Sequence, residues 1–174
     1  SEDMVQFRYF ASPAISHSIP SSGPSEGGTI VSVYGRNFVD SDTLYCRFGN
    51  STSVLGRWIS GDRIECIAPQ MNAGDVVISM SNNGVDYTST NSTFLGLPES
   101  KVLSVSPLFG PVGTSTAVTV HGTGFVFSRS LYCRFGLSAV AAMYVNESTV
   151  ICTAPDLPSG KVNVTVSSNG IDYS

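Results

Sequence analysis

The residues of this chain with chemistry to offer are few. The cysteines are Cys46, Cys66, Cys133 and Cys152, with separations of 20 residues within the first pair and 19 within the second. Four cysteines permit three disulfide connectivities. A zinc site is the rival use, but no histidine or third cysteine accompanies either pair; two buried free thiols are the other. Four Asn-x-Ser/Thr triplets begin at Asn50, Asn91, Asn146 and Asn163, each a potential acceptor of an N-linked glycan. Three fall in loop-like stretches. Asn163 alternates with Val162 and Val164, so it is expected to point outward from a strand. His17 and His121 sit in no nucleophile motif. Asp40-Ser41-Asp42 is acidic but lacks the glycine and distal glutamate of a calcium loop. No paired carboxylates, triad or metal-ligand cluster recurs. The expectation is therefore no catalytic residue, no metal and no cofactor, in a protein that is not an enzyme.

The elements that carry these residues come in two copies. Leu44-Tyr45-Cys46-Arg47-Phe48-Gly49 returns as Leu131-Tyr132-Cys133-Arg134-Phe135-Gly136, an offset of 87 residues. Gly23-Pro24, Val31, Val33, Gly35 and Phe38 return at that offset as Gly110-Pro111, Val118, Val120, Gly122 and Phe125. Beyond the loop at 49–54 the offset is 86: Cys66-x-Ala68-Pro69 returns as Cys152-x-Ala154-Pro155, and Asn83-Gly84-x-Asp86-Tyr87 as Asn169-Gly170-x-Asp172-Tyr173. Such a period is too long for a solenoid, so each unit is expected to be its own small domain. The duplication also favours Cys46–Cys66 and Cys133–Cys152 as the disulfides, because each unit then closes its own pair.

Within each unit the patterning is that of strands. Val31-Ser32-Val33, residues 76–80 and residues 162–166 alternate apolar with other residues. Leu44, Cys46 and Phe48 share one face, and Tyr45 and Arg47 the other. Asn83-Gly84 and Asn169-Gly170 read as type I′ turns, which need φ > 0 at both residues. Short strands separated by Gly/Pro turns predict an all-β chain of two tandem immunoglobulin-like antiparallel β-sandwiches. Trp58 aligns with Tyr144 and is read as packing, with a sugar platform as the lesser alternative. The Tyr-x-Arg pairs are read as a solvated strand face, with a protein contact as the alternative. Asp86 and Asp172 are read as ordinary turn residues.

The ordered set Gly-Pro-x-x-Gly-Gly-Thr, Val-x-Val-x-Gly-x-x-Phe, Tyr-Cys-Arg-Phe-Gly, Cys-x-Ala-Pro and Ser-Asn-Asn-Gly-x-Asp-Tyr resembles the IPT/TIG domain of plexins, Met-type receptors and some transcription factors. Both repeats carry the resemblance. The basic DNA-contacting loops of the transcription-factor branch have no counterpart here, and the cysteine pairs resemble the surface-protein branch. The resemblance implies a fold far more than a task.

Composition bounds the setting. Charged residues make up 13% and apolar ones 41%, with a net charge of −4. An acidic chain without a basic patch is a poor partner for nucleic acid, and no apolar run reaches membrane-spanning length. Cysteine pairs and sequons together fit an oxidising, glycosylating route. The expected setting is extracellular, secreted or at a cell surface, with covalent glycans and no membrane insertion. Expected partners are copies of the chain or other extracellular proteins. The functions in view are a structural or adhesive module of an array or glycosylated filament, the ligand-binding ectodomain of a plexin- or Met-like receptor, and a carbohydrate-binding appendage.

The phase of the repeats divides the chain into residues 1–10, 11–97 and 98–174. Phe7 stands one period before Phe94, which suggests that residues 1–10, with Met4, Val5, Phe7, Tyr9 and Phe10, are the last strand of a neighbouring domain. Val162, Val164 and Val166 of the second repeat are the expected edge that receives such a strand. The alternative is a piece with arbitrary ends and a frayed N-terminus. The strand signals at 92–97 and 101–106 leave little free linker, so the two domains are expected to join as a semi-rigid rod.

Overall fold

The computed structural model describes residues 6–174; Met4 and Val5 lie outside them. The described chain is all β. Repeat 1 holds β1 (Ala14–Ile19), β2 (Ser22–Pro24), β3 (Ile30–Arg36), β4 (Tyr45–Phe48), β5 (Val54–Leu55), β6 (Arg57–Ser60), β7 (Arg63–Ile67), β8 (Gly74–Ser81) and β9 (Thr93–Leu97). Repeat 2 holds β10 (Lys101–Ser106), β11 (Ala117–Thr123), β12 (Tyr132–Phe135), β13 (Ser138–Asn146), β14 (Thr149–Thr153) and β15 (Val164–Ser167).

In repeat 1 a sheet of order β1-β3-β7-β6 faces one of order β2-β9-β8-β4-β5. All pairs are antiparallel except β2 with β9, which run parallel. The inward residues of the alternating strands build the core: Val31 and Val33 from β3, Cys46 and Phe48 from β4, Ile78 and Met80 from β8, and Phe94 from β9 are buried. Repeat 2 repeats this with Val118, Val120, Cys133, Phe135, Val150 and Val166.

The repeats differ at two places. In repeat 1 the chain breaks at Gly56 between β5 and β6. A Cβ there would lie 3.2 Å from Leu44 and 3.4 Å from the Cys66 sulfur. Repeat 2 has Ala142 at that position, and β13 runs unbroken, joining one order, β10-β11-β14-β13-β12-β15. Secondly, β8 begins at Gly74, whereas β15 begins at Val164. The first half of β8 is the part that pairs with β9, from Gly74↔Gly96 to Val77↔Thr93. Residues 160–163 have no such partner among the described residues, so the alternation at 162–166 yields strand only from Val164, and Val162 is exposed.

The Asn-Gly turns are not type I′. Gly84 and Gly170 have φ of 75° and 76°, but the sole described non-glycine residue with positive φ is Asn37. Instead Asn83 Oδ1 accepts hydrogen bonds from the N–H groups of Val85 and Asp86 at 3.0 and 2.9 Å, and Asn169 Oδ1 does the same for Ile171 and Asp172. The side chain closes the turn that the backbone was expected to close.

The glycine of Val-x-Val-x-Gly-x-x-Phe is a close-approach residue. A Cβ on Gly122 would collide with the Lys101 carbonyl and come within 2.5 Å of the Phe125 ring; on Gly35 it would meet the Ala14 carbonyl and Phe38. Gly122→Ala is expected to destabilise repeat 2 by about 1–3 kcal/mol through overpacking. Urea unfolding followed by circular dichroism measures this, and an unshifted transition contradicts it.

Candidate functional site

Cys46 in β4 is bonded to Cys66 in β7, and Cys133 in β12 to Cys152 in β14, with Cα–Cα distances of 6.3 and 6.2 Å. In repeat 1 the bond therefore crosses from one sheet to the other through the core. All four sulfurs lie in buried residues and are spent on stability.

The Tyr-x-Arg pairs are likewise spent. Arg47 sits 4.1 Å over the Tyr87 ring, and Arg134 sits 4.1 Å over Tyr173. The Tyr45 ring would lie 3.4 Å from a Cβ on Gly84, and the Tyr132 ring 3.5 Å from one on Gly170. The Tyr-Cys-Arg-Phe-Gly and Asn-Gly-x-Asp-Tyr motifs are thus two halves of one packing unit. The cation–π partner of each arginine lies in its own domain, and Tyr45, Arg47, Tyr132 and Arg134 are half-buried on the outer strand face. Trp58 is half-exposed at 39%, with its ring N–H donated to the Phe38 carbonyl at 3.2 Å. Tyr144 packs on the core and edge-on against Phe127.

Asn50, Asn91, Asn146 and Asn163 are all exposed. Phe7, Tyr9 and Phe10 are exposed too and take no strand within the chain. His17 stacks on Tyr34 and His121 lies 3.4 Å from Thr149 Oγ1. Among the described residues no group of three or more His, Cys, Asp or Glu is placed to hold a metal. No helix there is long and apolar enough to cross a membrane.

The joint between the repeats holds the most specific cross-domain geometry. Only Pro98-Glu99-Ser100 separates β9 from β10. The turn of repeat 2 reaches back onto repeat 1: Thr29 Oγ1 donates to Asp172 Oδ2 at 2.8 Å, and Asn169 Nδ2 donates to the Ser22 carbonyl at 2.9 Å. Asn169 Nδ2 also bonds Asp172 Oδ2, which fixes the carboxylate for Thr29. In the linker Glu99 pairs with Lys101 at 2.7 Å, and this hydrogen bond and charge, followed by the weaker field of Glu26, raise the lysine pKa above its usual value. A cleft of about 600 Å³ opens beside the joint, lined by Pro24 and Leu97 on one side and Val102, Val164 and Val166 on the other. In repeat 1 the chain from Thr88 to Ser92 runs along the corresponding strand, Thr88 N donating to the Met80 carbonyl and Ile78 N to that of Ser92. Sequence reasoning expected the short linker but missed the hydrogen bonds across the joint. Their signal was present, since Asn, Asp and Thr recur together as Asn83, Asp86 and Thr29, and as Asn169, Asp172 and Thr116.

Comparison with known proteins agrees with this architecture. Fibrocystin-L of Mus musculus is 30% identical over 158 residues, which is 87% of this chain and 4% of that protein. Plexin-2 of Caenorhabditis briggsae is 27% identical over 150 residues, 82% of this chain and 8% of that protein. The chain thus spans a small fraction of the relatives it matches. The structure of the plexin A4 full extracellular region covers 94% of this chain, and the chain spans 15% of it, with a TM-score of 0.58 and 18% identity, a likeness of fold. The IPT/TIG domain family matches twice, at residues 13–95 and 100–174, and the chain belongs to that family as a tandem pair.

Proposed function

We propose that this chain is a non-enzymatic structural or adhesive module of an extracellular glycoprotein, a segment of a tandem immunoglobulin-like array or head-to-tail filament. The observation that carries the reading is the joint. Three linker residues and side-chain hydrogen bonds from Asn169 and Thr29 set one repeat against the other, and this makes a short rod out of two stapled domains. The Tyr-x-Arg pairs find their cation–π partners inside each repeat, and the Asn169–Asp172 turn is used at the joint. Small-angle scattering of the chain is expected to fit one interdomain arrangement; a profile that demands wide freedom between the repeats contradicts the rod.

The extracellular setting is supported by the buried disulfides, which persist where thiols are oxidised, and by the exposure of all four sequon asparagines. Secreted from a eukaryotic host, the protein is expected to exceed its 18.3 kDa polypeptide mass and to lose the excess on enzymatic deglycosylation. An intact mass equal to the bare chain sinks the glycoprotein reading. A second reading, the ligand-binding part of a receptor ectodomain, is favoured by the plexin relatives. It predicts saturable binding of the isolated pair to a soluble extracellular protein, where a pure spacer binds none.

A further inference from the structure

The joint has two faces, and each repeat carries both. Repeat 2 uses its turn, Asn169 to Asp172, and repeat 1 uses its loop, Ser22 to Thr29. Among the described residues, the turn of repeat 1, Asn83 to Asp86, and the loop of repeat 2, Phe109 to Thr116, make hydrogen bonds within their own repeat and none to the other. We propose that a second copy of this chain docks its Asn83–Asp86 turn on the Phe109–Thr116 loop of the first, repeating the internal joint between molecules.

The donor set is the same. Thr116 stands where Thr29 stands, and its hydroxyl is placed to donate to Asp86 as Thr29 does to Asp172. Asn83 already bonds Asp86 at 2.8 Å, as Asn169 bonds Asp172, so the free turn is pre-formed. The burial differs as an unfilled joint requires: Thr29 is 1% exposed, whereas Thr116 is half-exposed. The apolar surface points the same way. Phe109, 88% exposed, replaces the Ser22 of repeat 1, and Leu108 and Val112 beside it are exposed as well. On the other face Val85, at the tip of the free turn, is 77% exposed. A cluster of large apolar residues in water beside polar groups marks an interaction site.

The same relation brings residues 6–10 of the second copy alongside residues 160–163, which pair with no described strand. Phe7, 79% exposed, takes the place that Phe94 holds opposite Val76, and so comes opposite Val162. Two features loosen this strand. Arg8 falls opposite Lys161, a like-charge pair that salt screens. Tyr9 falls at the position of Gly96, where a Cβ would lie 2.7 Å from the Asn72 carbonyl. Because the two faces differ, the contact does not close on itself and propagates head to tail. This inference rests on the reading of the chain as an array-forming module.

Sedimentation velocity on the full chain tests it. The wild type is expected to form a growing series of oligomers below about 1 mM, with more growth at higher salt. Asp86→Lys, which blocks the turn, and Phe109→Asp, which blocks the loop, are both exposed substitutions and each alone is expected to stay monomeric. Mixed one to one, they retain one good turn and one good loop and are expected to give a dimer that does not grow. Tyr9→Gly in the wild-type background is expected to raise the association constant several-fold. A wild type that stays monomeric overturns the inference, as does a mixture that fails to dimerise. Neither outcome touches the module reading if the same protein is glycosylated and scatters as a rod.

Discussion

A chain in which Cys46 and Cys66 are both replaced by alanine is expected to lose about 2–5 kcal/mol of stability in repeat 1. The bond closes a loop of 20 residues, for which chain entropy alone gives about 3 kcal/mol. It also fills the centre of the core, where both cysteines have essentially no exposure. The single tryptophan of the sequence, Trp58, lies in repeat 1, so its fluorescence reports the unfolding of that repeat. In urea the Trp58 transition is expected to move to markedly lower denaturant. The matched Cys133→Ala/Cys152→Ala chain is expected to leave that transition close to its wild-type position. A Trp58 midpoint unchanged by loss of Cys46–Cys66 contradicts the assignment of the bond as the main staple of repeat 1.

Phe94→Ala is expected to cost about 3–5 kcal/mol, the range for removal of a buried aromatic ring. Phe94 has no exposure and packs edge-on against Phe48 with ring centroids 5.5 Å apart. It also anchors β9, which carries the chain into the linker, so its loss is expected to loosen the joint as well as the domain. Phe94→Leu keeps most of the buried area and is expected to recover much of the stability. The readout is the same Trp58 transition; a cost below about 1 kcal/mol for Phe94→Ala would mean that the core does not depend on β9.

What the sequence made legible was whatever the repeat wrote twice with a fixed period. Leu44, Cys46 and Phe48 alternate and are buried together, because a strand of period two leaves no other choice once one face is covered. The strand signals at 92–97 and 101–106 became β9 and β10 for the same reason. The turns were located but mistyped: Asn83 was assigned the left-handed backbone of a type I′ turn, while its amide oxygen in fact accepts two backbone N–H groups and needs no such strain. Residues 162–166 were legible as a strand only in their second half, since pairing decides where a strand begins and the partner of residues 160–163 is not among the described elements. The hydrogen bonds across the joint were illegible for a different reason. Thr29 and Asp172 are 143 residues apart, and a hydroxyl-to-carboxylate bond leaves no periodicity behind it. The recurrence of Asp86 and Asp172 was visible, but its consequence depended on the placement of two domains.

The parallel pairing of β2 with β9 has a mechanical consequence. A tension applied to the two ends of repeat 1 enters at β1 and leaves past Leu97. Because β2 and β9 run in the same direction, it draws them in opposite senses along their axes. The ladder bonds and the flanking bonds of Ser25 N to the Leu97 carbonyl and Leu95 N to the Ser21 carbonyl are then loaded side by side in shear, not opened one after another as in a peeled hairpin. The pair acts as a clamp whose bonds must yield together. If it does yield, the Cys46–Cys66 bond keeps its 20-residue loop from paying out, withholding about 65–70 Å of contour length, so repeat 1 stretches only part of the way under load.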